Sequence, residues 1–268
     1  CTENYTRDCY ILKLDISGFF MHIKRELLFY RLLPFIIYNY HGHDRNRIIE
    51  LCRKIIFNDP TKHCILKGKK TEWDDLPKRK SLFHSPKNCG LPIGNLTSQV
   101  FANFYLNPFH HFIRHTLGVR YYSRYVDDFI IVHPDMNFLR GLVPKIKSFL
   151  QLEMGLKLHP RKQYVQHFAK GVLYLGAFIK PGRVYIGNRT KGNFSDALER
   201  YNAVVRARTP LQEDLLKFIS SVNSYLGIMK HYNTFYLRRK ILLTAVSGWW
   251  WRYVYISGGC RKVSLRVE

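Results

Sequence analysis

Three aspartates occupy positions from which they could hold a metal ion. Asp15 follows the apolar residues Leu12 and Leu14, and Asp127 and Asp128 lie between two strand-like runs. Hairpin turns favour aspartate for backbone reasons alone, so a single Asp-Asp turn could be purely structural. Here both flanks are buried-strand sequence, and a third carboxylate ends another such strand. Three converging carboxylates would supply the oxygen ligands that Mg²⁺ prefers, and they would suit two-metal phosphoryl transfer.

The segments around these aspartates predict an α+β fold. Residues 10–16 alternate apolar and polar side chains and run into Ser17-Gly18, which is typical of a strand followed by a turn. Residues 120–135 form two strand-like runs with Asp127-Asp128 between them, the signature of a β-hairpin. Helices are predicted over 22–38, 44–58, 98–117 (with Gly118 at the C-cap) and 136–154 (closed by Gly155), and strands over 156–159, 163–168, 171–179 and 183–187.

The C-terminal part of the chain has a different pattern, and this predicts a second domain. After Asn188 the sequence favours helices over 195–208, 210–230 and 232–247. We therefore expect an α+β domain over 1–188 and a helical region with a C-terminal tail over 189–268. The run Trp249-Trp250-Trp251 could stack on nucleobases or pack in a core.

The composition points to a polyanionic partner. The 268 residues include 43 Lys and Arg against 19 Asp and Glu, a formal net charge of +24, and 46% hydrophobic residues allow a real core. Such a surplus opposes folding through self-repulsion, so nucleic acid is the first candidate partner and an anionic membrane surface the second. A merely soluble basic protein is the plain alternative.

Several other classes of protein are excluded. The longest apolar stretch, 241–256, is short for a membrane span and contains Gly248 and Arg252, so no membrane partner is expected. The six cysteines form no C-x-x-C pair, and we interpret them as reduced cytosolic thiols. Acidic residues are absent from 76–126 and from 154–195, so the aspartates at 127 and 128 stand out in a basic setting.

Four ordered motifs resemble those of reverse transcriptases. The run Y-V-D-D at 125–128 resembles their catalytic hairpin, and L-K-L-D-I-S-G-F-F at 12–20 resembles their first catalytic motif. L-P-I-G-N-L-T-S-Q at 91–99 resembles the motif between those two, and L-Y-L-G at 173–176 resembles the later primer grip. The resemblance covers essentially the whole chain. It implies a right-hand polymerase palm with an antiparallel ferredoxin- or RRM-like sheet, followed by an all-helical thumb.

The middle motif resembles that of one particular group of reverse transcriptases. Many reverse transcriptases have Gln-Gly where this chain has Ile93-Gly94, and they close the motif with Ser-Pro where it has Ser98-Gln99. The form I-G-x-x-x-S-Q is similar to that of diversity-generating retroelements, which copy a template RNA with frequent errors at adenines. Group II intron and retron reverse transcriptases are the near alternatives. A catalytically silent RNA-binding scaffold on the same fold is a further one.

The resemblance implies a role for each carboxylate. Asp15 and Asp127 would bridge two Mg²⁺ ions, with Mn²⁺ able to substitute, and the carbonyl of Ile16 would add a ligand. Asp128 would be a more peripheral acid near the primer end. Lys162 would protonate the departing pyrophosphate, with Lys157 and Arg161 as competitors for that role.

The resemblance also implies a nucleotide-binding set. Phe20 lies at the position of a steric gate against the ribose 2′-hydroxyl, and Phe19 beside it is interpreted as core. Ile93 would offer the nucleotide only apolar contact, and losing a hydrogen bond of about 0.5–1.5 kcal/mol would relax discrimination about tenfold. Outside the family context, Ile93 would be read as a core residue before a turn glycine. The remaining members are Ser17, Gly18, Gly94, Ser98 and Gln99, and the primer grip would be the turn at Leu175 and Gly176.

The implied partners are template RNA, a primer or cDNA strand, dNTPs and a basic oligomeric accessory protein of the retroelement. The implied setting is the cytoplasm, in a bacterium or phage. Family members have several fingers motifs before the first catalytic aspartate, whereas 14 residues precede Asp15 here. We therefore expect an N-terminally truncated chain that lacks most of the fingers and polymerises poorly alone.

Overall fold

The computed structural model describes residues 1–62, 64–65 and 76–266. These residues form two compact units, Cys1–His167 and Phe168–Glu268. The sequence predicts a boundary between palm and thumb at residue 188. This assignment of roles stays a prediction.

The first unit is built on a four-stranded antiparallel sheet. Its strands are β1 (Tyr10–Asp15), β2 (Tyr121–Tyr125), β3 (Asp128–His133) and β4 (Tyr164–His167). Their order is β2-β3-β1-β4, with helical connections after β1 and after β3. This is the order of a β-α-β-β-α-β unit. One sheet face packs on helices, which explains why alternate residues such as Leu12, Leu14, Phe129 and Ile131 are buried.

In the described part of this unit, six helices pack on the buried face of the sheet or on one another. They are α1 (Phe19–His22), α2 (Arg25–Asn39), α3 (Arg45–Phe57), α4 (Leu96–Tyr105), α5 (Asn107–His111) and α6 (Met136–Met154). Helix α6 packs on β1, β3 and β4. The carboxylate of Asp135 accepts a hydrogen bond from Asn137 N at its beginning, and Gly155 ends it in the left-handed conformation. The hydroxyl of Tyr105 donates to the Met154 carbonyl at 2.6 Å and ties α4 to α6.

The second unit contains a small sheet, three helices and a hairpin. Its elements are β5 (Val172–Tyr174), β6 (Ala177–Lys180), β7 (Arg183–Ile186), α7 (Asn188–Ala207), α8 (Gln212–Met229), α9 (Phe235–Ala245), β8 (Val254–Ser257) and β9 (Lys262–Leu265). Trp250 is fully buried at the centre of this unit and stacks on Phe218 at 4.0 Å. Packing is therefore the correct interpretation for this tryptophan, while Trp249 is half exposed.

The predicted helix over 98–117 is wrong as a single element. Helix α4 ends at Tyr105, and α5 begins afresh with Pro108 in its first turn, because proline has no N–H to continue the ladder. Residues Phe112–Thr116 form a π-helical turn, and Gly118 follows in the left-handed conformation.

Three further predictions of elements need correction. Within the predicted strand over 156–159, only Leu158 pairs, in an isolated bridge with Ile16. The residues on either side of the bridge form two hydrogen bonds, from Ser17 N to Lys157 O and from His159 N to Asp15 O. The predicted strand over 171–179 is a hairpin of β5 and β6. Helix α7 begins at Asn188 rather than at residue 195, and the hairpin of β8 and β9 was not predicted.

The cysteine interpretation is wrong for two of the six residues. Cys1 and Cys9 form a disulfide, because the turn over residues 2–7 folds the N-terminus back and leaves their Cα atoms 6.5 Å apart. Cys52, Cys64, Cys89 and Cys260 are free thiols. Among the described residues, no helix has the length and apolar character needed to cross a bilayer.

Candidate active site

The three aspartates meet at one end of the sheet. Asp15, the last residue of β1, is paired across the sheet with Asp128, the first residue of β3. The amide of Ile16 donates to the carbonyl oxygen of Asp127 at 3.1 Å. Residues directly opposite in an antiparallel pair project to the same face with Cβ atoms about 4.5–5.5 Å apart. The register alone therefore brings the Asp15 and Asp128 carboxylates together, with Asp127 beside them.

A strained two-residue loop presents Asp127. Tyr125 pairs with Asp128, so Val126 and Asp127 form the loop between β2 and β3. Val126 has a φ of 54°, a positive value that glycine normally supplies at the first position of a type II′ turn. Positive φ is costly for a β-branched residue, and such strain is concentrated at functional sites.

The carboxylates are in an environment that disfavours their negative charge. Burial raises the pKa of Asp127 above its usual range, and the nearby charges of Asp15 and Asp128 raise it further. Burial also raises the pKa of Asp128, against the opposing effect of the Lys13 ammonium. A divalent cation would offset both burial and mutual repulsion, so the arrangement is one that a cation would stabilise.

Two lysines already contact these carboxylates. Lys162 Nζ lies 2.7 Å from Asp15 Oδ2, and Lys13 Nζ lies 3.2 Å from Asp128 Oδ2. Lys162 was assigned to the site from the sequence, but Lys13 was missed. The alternation of β1 was an available signal, because it places residues 13 and 15 on the same face of the strand.

The turn after β1 supports the site through its backbone. The Ser17 amide donates to the Lys157 carbonyl at 2.8 Å. Gly18 has a φ of 55°, and a Cβ atom there would lie 2.9 Å from the carbonyl oxygen of Arg79. Only glycine fits this position without a shift in the backbone. Phe19 is buried, which confirms its interpretation as a core residue, and the half-buried Phe20 follows.

The motif at 91–99 connects through the backbone to the segment that follows β1. The Leu91 amide donates to the Phe20 carbonyl at 2.9 Å. Ile93 then lies in an exposed turn with 68% of its surface accessible, so it is not a core residue. Gly94 follows with a φ of 106°, and near the beginning of α4 Ser98 is buried and Gln99 exposed. A cleft of about 700 Å³ adjoins this motif; its lining includes Lys54, Ile55, Asn58, Leu91, Asn95 and Ser98.

The predicted primer-grip residues lie in the second unit. Leu175 and Gly176 are the two loop residues between β5 and β6, and both have positive φ. Positive φ at both positions is the feature of a type I′ hairpin turn. Gly187 N donates to Gly176 O at 2.9 Å, which fixes this turn against the beginning of α7.

The three carboxylates have the right chemistry for Mg²⁺, although lysines contact two of them, Asp15 and Asp128. Within residues 1–62, 64–65 and 76–266, no three His, Cys, Asp or Glu side chains are arranged to hold a metal ion. However, the buried Oδ1 of Asp128 has no hydrogen-bond partner among the described residues, and Asp127 lies among like charges.

Comparison with solved structures finds fungal telomerases. The apo telomerase of Candida tropicalis matches with a TM-score of 0.49 and 15% identity over 89% of this chain and 42% of that one. A form truncated from its C-terminal domain matches with a TM-score of 0.48 and 16% identity over 69% of this chain and 37% of that one. Telomerase from Candida albicans in complex with a fragment of telomeric RNA gives 0.44 and 15% over 86% and 42%. The chain thus spans about two fifths of these proteins.

Comparison with protein families gives a direct match. The model described as "Reverse transcriptase (RNA-dependent DNA polymerase)" matches residues 1–179, about two thirds of the chain. This range contains all four motifs identified in the sequence. No functionally curated protein matches by sequence. The family match extends over more than half of the chain, and the chain therefore belongs to the reverse transcriptase family.

Proposed function

We propose that the protein is an RNA-directed DNA polymerase that adds dNTPs to a primer strand on an RNA template. The observation that carries the proposal is the pairing of Asp15 with Asp128 across the sheet, with Asp127 in the adjoining loop. The residues that match the family's catalytic aspartates are thereby adjacent in space. The net charge of +24 supplies the attraction that a nucleic-acid backbone needs.

The proposed mechanism assigns each side chain a task. When bound, two Mg²⁺ ions would lower the pKa of the primer 3′-hydroxyl and stabilise charge on the transferred phosphate. Asp15, Asp127 and the Ile16 carbonyl would hold them, and Asp128 would add negative charge nearby. Lys162 would leave Asp15 and donate a proton to the departing pyrophosphate. The backbone at Ser17 and Gly18 would face the phosphates.

The second part of the proposal concerns the type of reverse transcriptase. We infer an error-prone enzyme of the diversity-generating type, with template RNA, a primer and a basic accessory protein as partners. The motif I-G-x-x-x-S-Q supports this, and so does the exposure of Ile93, which leaves its side chain accessible to a nucleotide. Residues 1–188 would act as the palm with partial fingers elements, and residues 189–268 as the helical thumb with a C-terminal tail.

The decisive assay is template-dependent dNTP incorporation on an RNA that contains adenines, followed by sequencing of the products. We expect incorporation with errors concentrated at template adenines. Failure to incorporate any dNTP in the presence of Mg²⁺ or Mn²⁺, together with an affinity for Mn²⁺ that Asp127→Asn does not change, would favour the RNA-binding scaffold. Faithful copying of adenines would leave a polymerase of the group II intron or retron type.

Replacing Ile93 by glutamine is expected to improve fidelity. Glutamine can donate and accept hydrogen bonds where isoleucine offers only apolar contact. A hydrogen bond of about 0.5–1.5 kcal/mol corresponds to as much as a tenfold reduction of errors at adenines. Sequencing of cDNA measures the effect, with Ile93→Val as the control that keeps the apolar surface. An unchanged error spectrum in Ile93→Gln would contradict the assignment.

Replacing Phe20 by alanine is expected to weaken discrimination against ribonucleotides. The Phe20 ring lies 5.4 Å from the Phe19 ring, which holds it in place. Overpacking by a hydroxyl against a fixed ring costs about 1–3 kcal/mol, so discrimination should fall about 10- to 100-fold in the alanine variant. Competition between dNTP and rNTP measures it. Phe20→Tyr, which keeps the ring, should retain the preference, and its loss there would count against a steric gate.

A further inference from the structure

The two lysines at the candidate site differ in how firmly they are held. Lys13 lies on β1 two residues before Asp15, and its ammonium is 3.2 Å from Asp128 Oδ2. The side chains of this pair are only 14% and 22% exposed. Lys162 Nζ lies 2.7 Å from Asp15 Oδ2; 56% of the Lys162 side chain is exposed, but only 12% of the Asp15 side chain is. The Lys13–Asp128 pair is therefore largely buried on the sheet, whereas the Lys162 side chain approaches Asp15 from solvent.

This difference determines which pair can open. The exposed Lys162 side chain can move its ammonium into water at little cost, whereas the buried Asp15 carboxylate then needs another positive charge in its place. Breaking a largely buried pair leaves an uncompensated charge in a poorly solvated place, which is strongly unfavourable. A divalent cation approaching from solvent can therefore displace Lys162 from Asp15 but will not displace Lys13 from Asp128.

We propose that Lys13 is a positioning residue that holds Asp128 as a fixed counter-ion and so leaves Asp15 and Asp127 to meet the divalent ions. This inference rests on the proposed polymerase function. Asp128 is adjacent to Asp127 in sequence and opposite Asp15 in the sheet, so a free Asp128 carboxylate would compete with them for the same ions. Lys13 occupies Oδ2, and the other oxygen, Oδ1, is buried from solvent, so neither oxygen is open to an ion that arrives from solvent.

The substitution Lys13→Met should separate metal affinity from catalysis. Methionine keeps the length of the side chain and removes the charge, so Asp128 becomes available as an additional ligand. We expect Mn²⁺ to bind about five- to tenfold more tightly, the effect of one unit charge a few Å from a divalent ion in a partly solvated site. The rate of single-nucleotide incorporation should fall about 10²-fold, since displaced ions disturb the reacting geometry.

Three further variants make the test specific. Lys13→Arg restores the positive charge and should return affinity and rate to within about threefold of wild type. Lys162→Met removes the displaceable lysine and should tighten Mn²⁺ without affecting Asp128. Lys147→Met makes the same chemical change on an exposed position of α6 and should alter neither quantity. Mn²⁺ affinity is measured by electron paramagnetic resonance of the free ion, and thermal unfolding verifies that each variant folds.

The outcomes separate this proposal from the proposed function. If Lys13→Met binds Mn²⁺ as wild type does, or more weakly, Lys13 does not hold Asp128 away from the ions. If it copies at the wild-type rate, Lys13 is not a positioning residue. If the wild-type protein neither binds Mn²⁺ in a manner lost in Asp127→Asn nor incorporates nucleotides, then the polymerase proposal itself is wrong.

Discussion

Asp127→Asn is expected to abolish template-dependent nucleotide incorporation, lowering the rate about 10³-fold or more. Asparagine keeps the shape of the side chain in the loop between β2 and β3, but it removes the negative charge that would hold the metal ions. Their stabilisation of the transferred phosphate amounts to several kcal/mol, and each 1.36 kcal/mol is about a factor of ten in rate. Extension of a labelled primer with a single dNTP measures the loss.

The matched control for this variant is Asp135→Asn. Asp135 lies a few residues further along, at the beginning of α6, where its carboxylate accepts a hydrogen bond from Asn137 N. Asparagine also caps helices well, so this variant should fold and extend primers normally. Retention of more than about one tenth of the wild-type rate in Asp127→Asn would contradict the assignment of Asp127 as a metal ligand.

Trp250→Ala is expected to have the largest effect on stability, a loss of about 3–5 kcal/mol in the free energy of unfolding. Trp250 is fully buried, and its ring stacks on Phe218 with the two planes only 5° apart. Removing it leaves a large cavity in the core of the second unit. Its indole nitrogen has no hydrogen-bond partner among the described residues, so the loss comes from packing. Urea denaturation followed by circular dichroism measures it.

The neighbouring Trp249 provides the control. It is half exposed, and the Arg252 guanidinium lies 4.2 Å from the centre of its ring. Trp249→Ala should cost about 0.5–1 kcal/mol, the value of an exposed cation–π contact. Equal losses in the free energy of unfolding for Trp250→Ala and Trp249→Ala would show that burial of the ring does not determine the cost.

The elements with local signals at both ends were predictable from the sequence. Helix α6 was predicted with the bounds that it has, because Asp135 and Gly155 cap it through their own local geometry. The hairpin of β2 and β3 was recognised from its two β-rich runs. Residues 254–265 also contain such a signal, since Gly258 and Gly259 separate two strand-like runs.

Other elements depend on features that hydrophobic periodicity does not encode, such as a proline within the pattern or a pairing partner distant in the chain. Residues 98–117 have a continuous amphipathic pattern, yet the helix is interrupted before Pro108 and continues as a π-helical turn. Residues 156–159 look like a strand, but only Leu158 finds a bridge partner. Pairing partners distant in the chain decide whether such a segment becomes a strand.

The candidate site likewise combines a feature that the sequence predicts with contacts that it does not predict. The sequence indicated that Asp15 and the pair Asp127-Asp128 would converge, because each follows or precedes a buried strand. It did not indicate that Lys13 faces Asp128, or that Lys162 contacts a carboxylate 147 positions away. The Lys13 contact depends on strand register, and the Lys162 contact depends on the turn after His159, whose amide donates to the Asp15 carbonyl. Both are properties of the folded sheet rather than of any local window.

The positive φ of Val126 places stability and function in opposition within the aspartate loop. A left-handed conformation costs a non-glycine residue about 1–2 kcal/mol, and glycine would remove that strain. A glycine loop would also let the adjoining Asp127 adopt more orientations, because it lacks the side chain that restricts the backbone. In laboratory evolution, selection for thermal stability alone would therefore drive position 126 towards glycine, whereas selection for nucleotide incorporation would retain a restrictive side chain there.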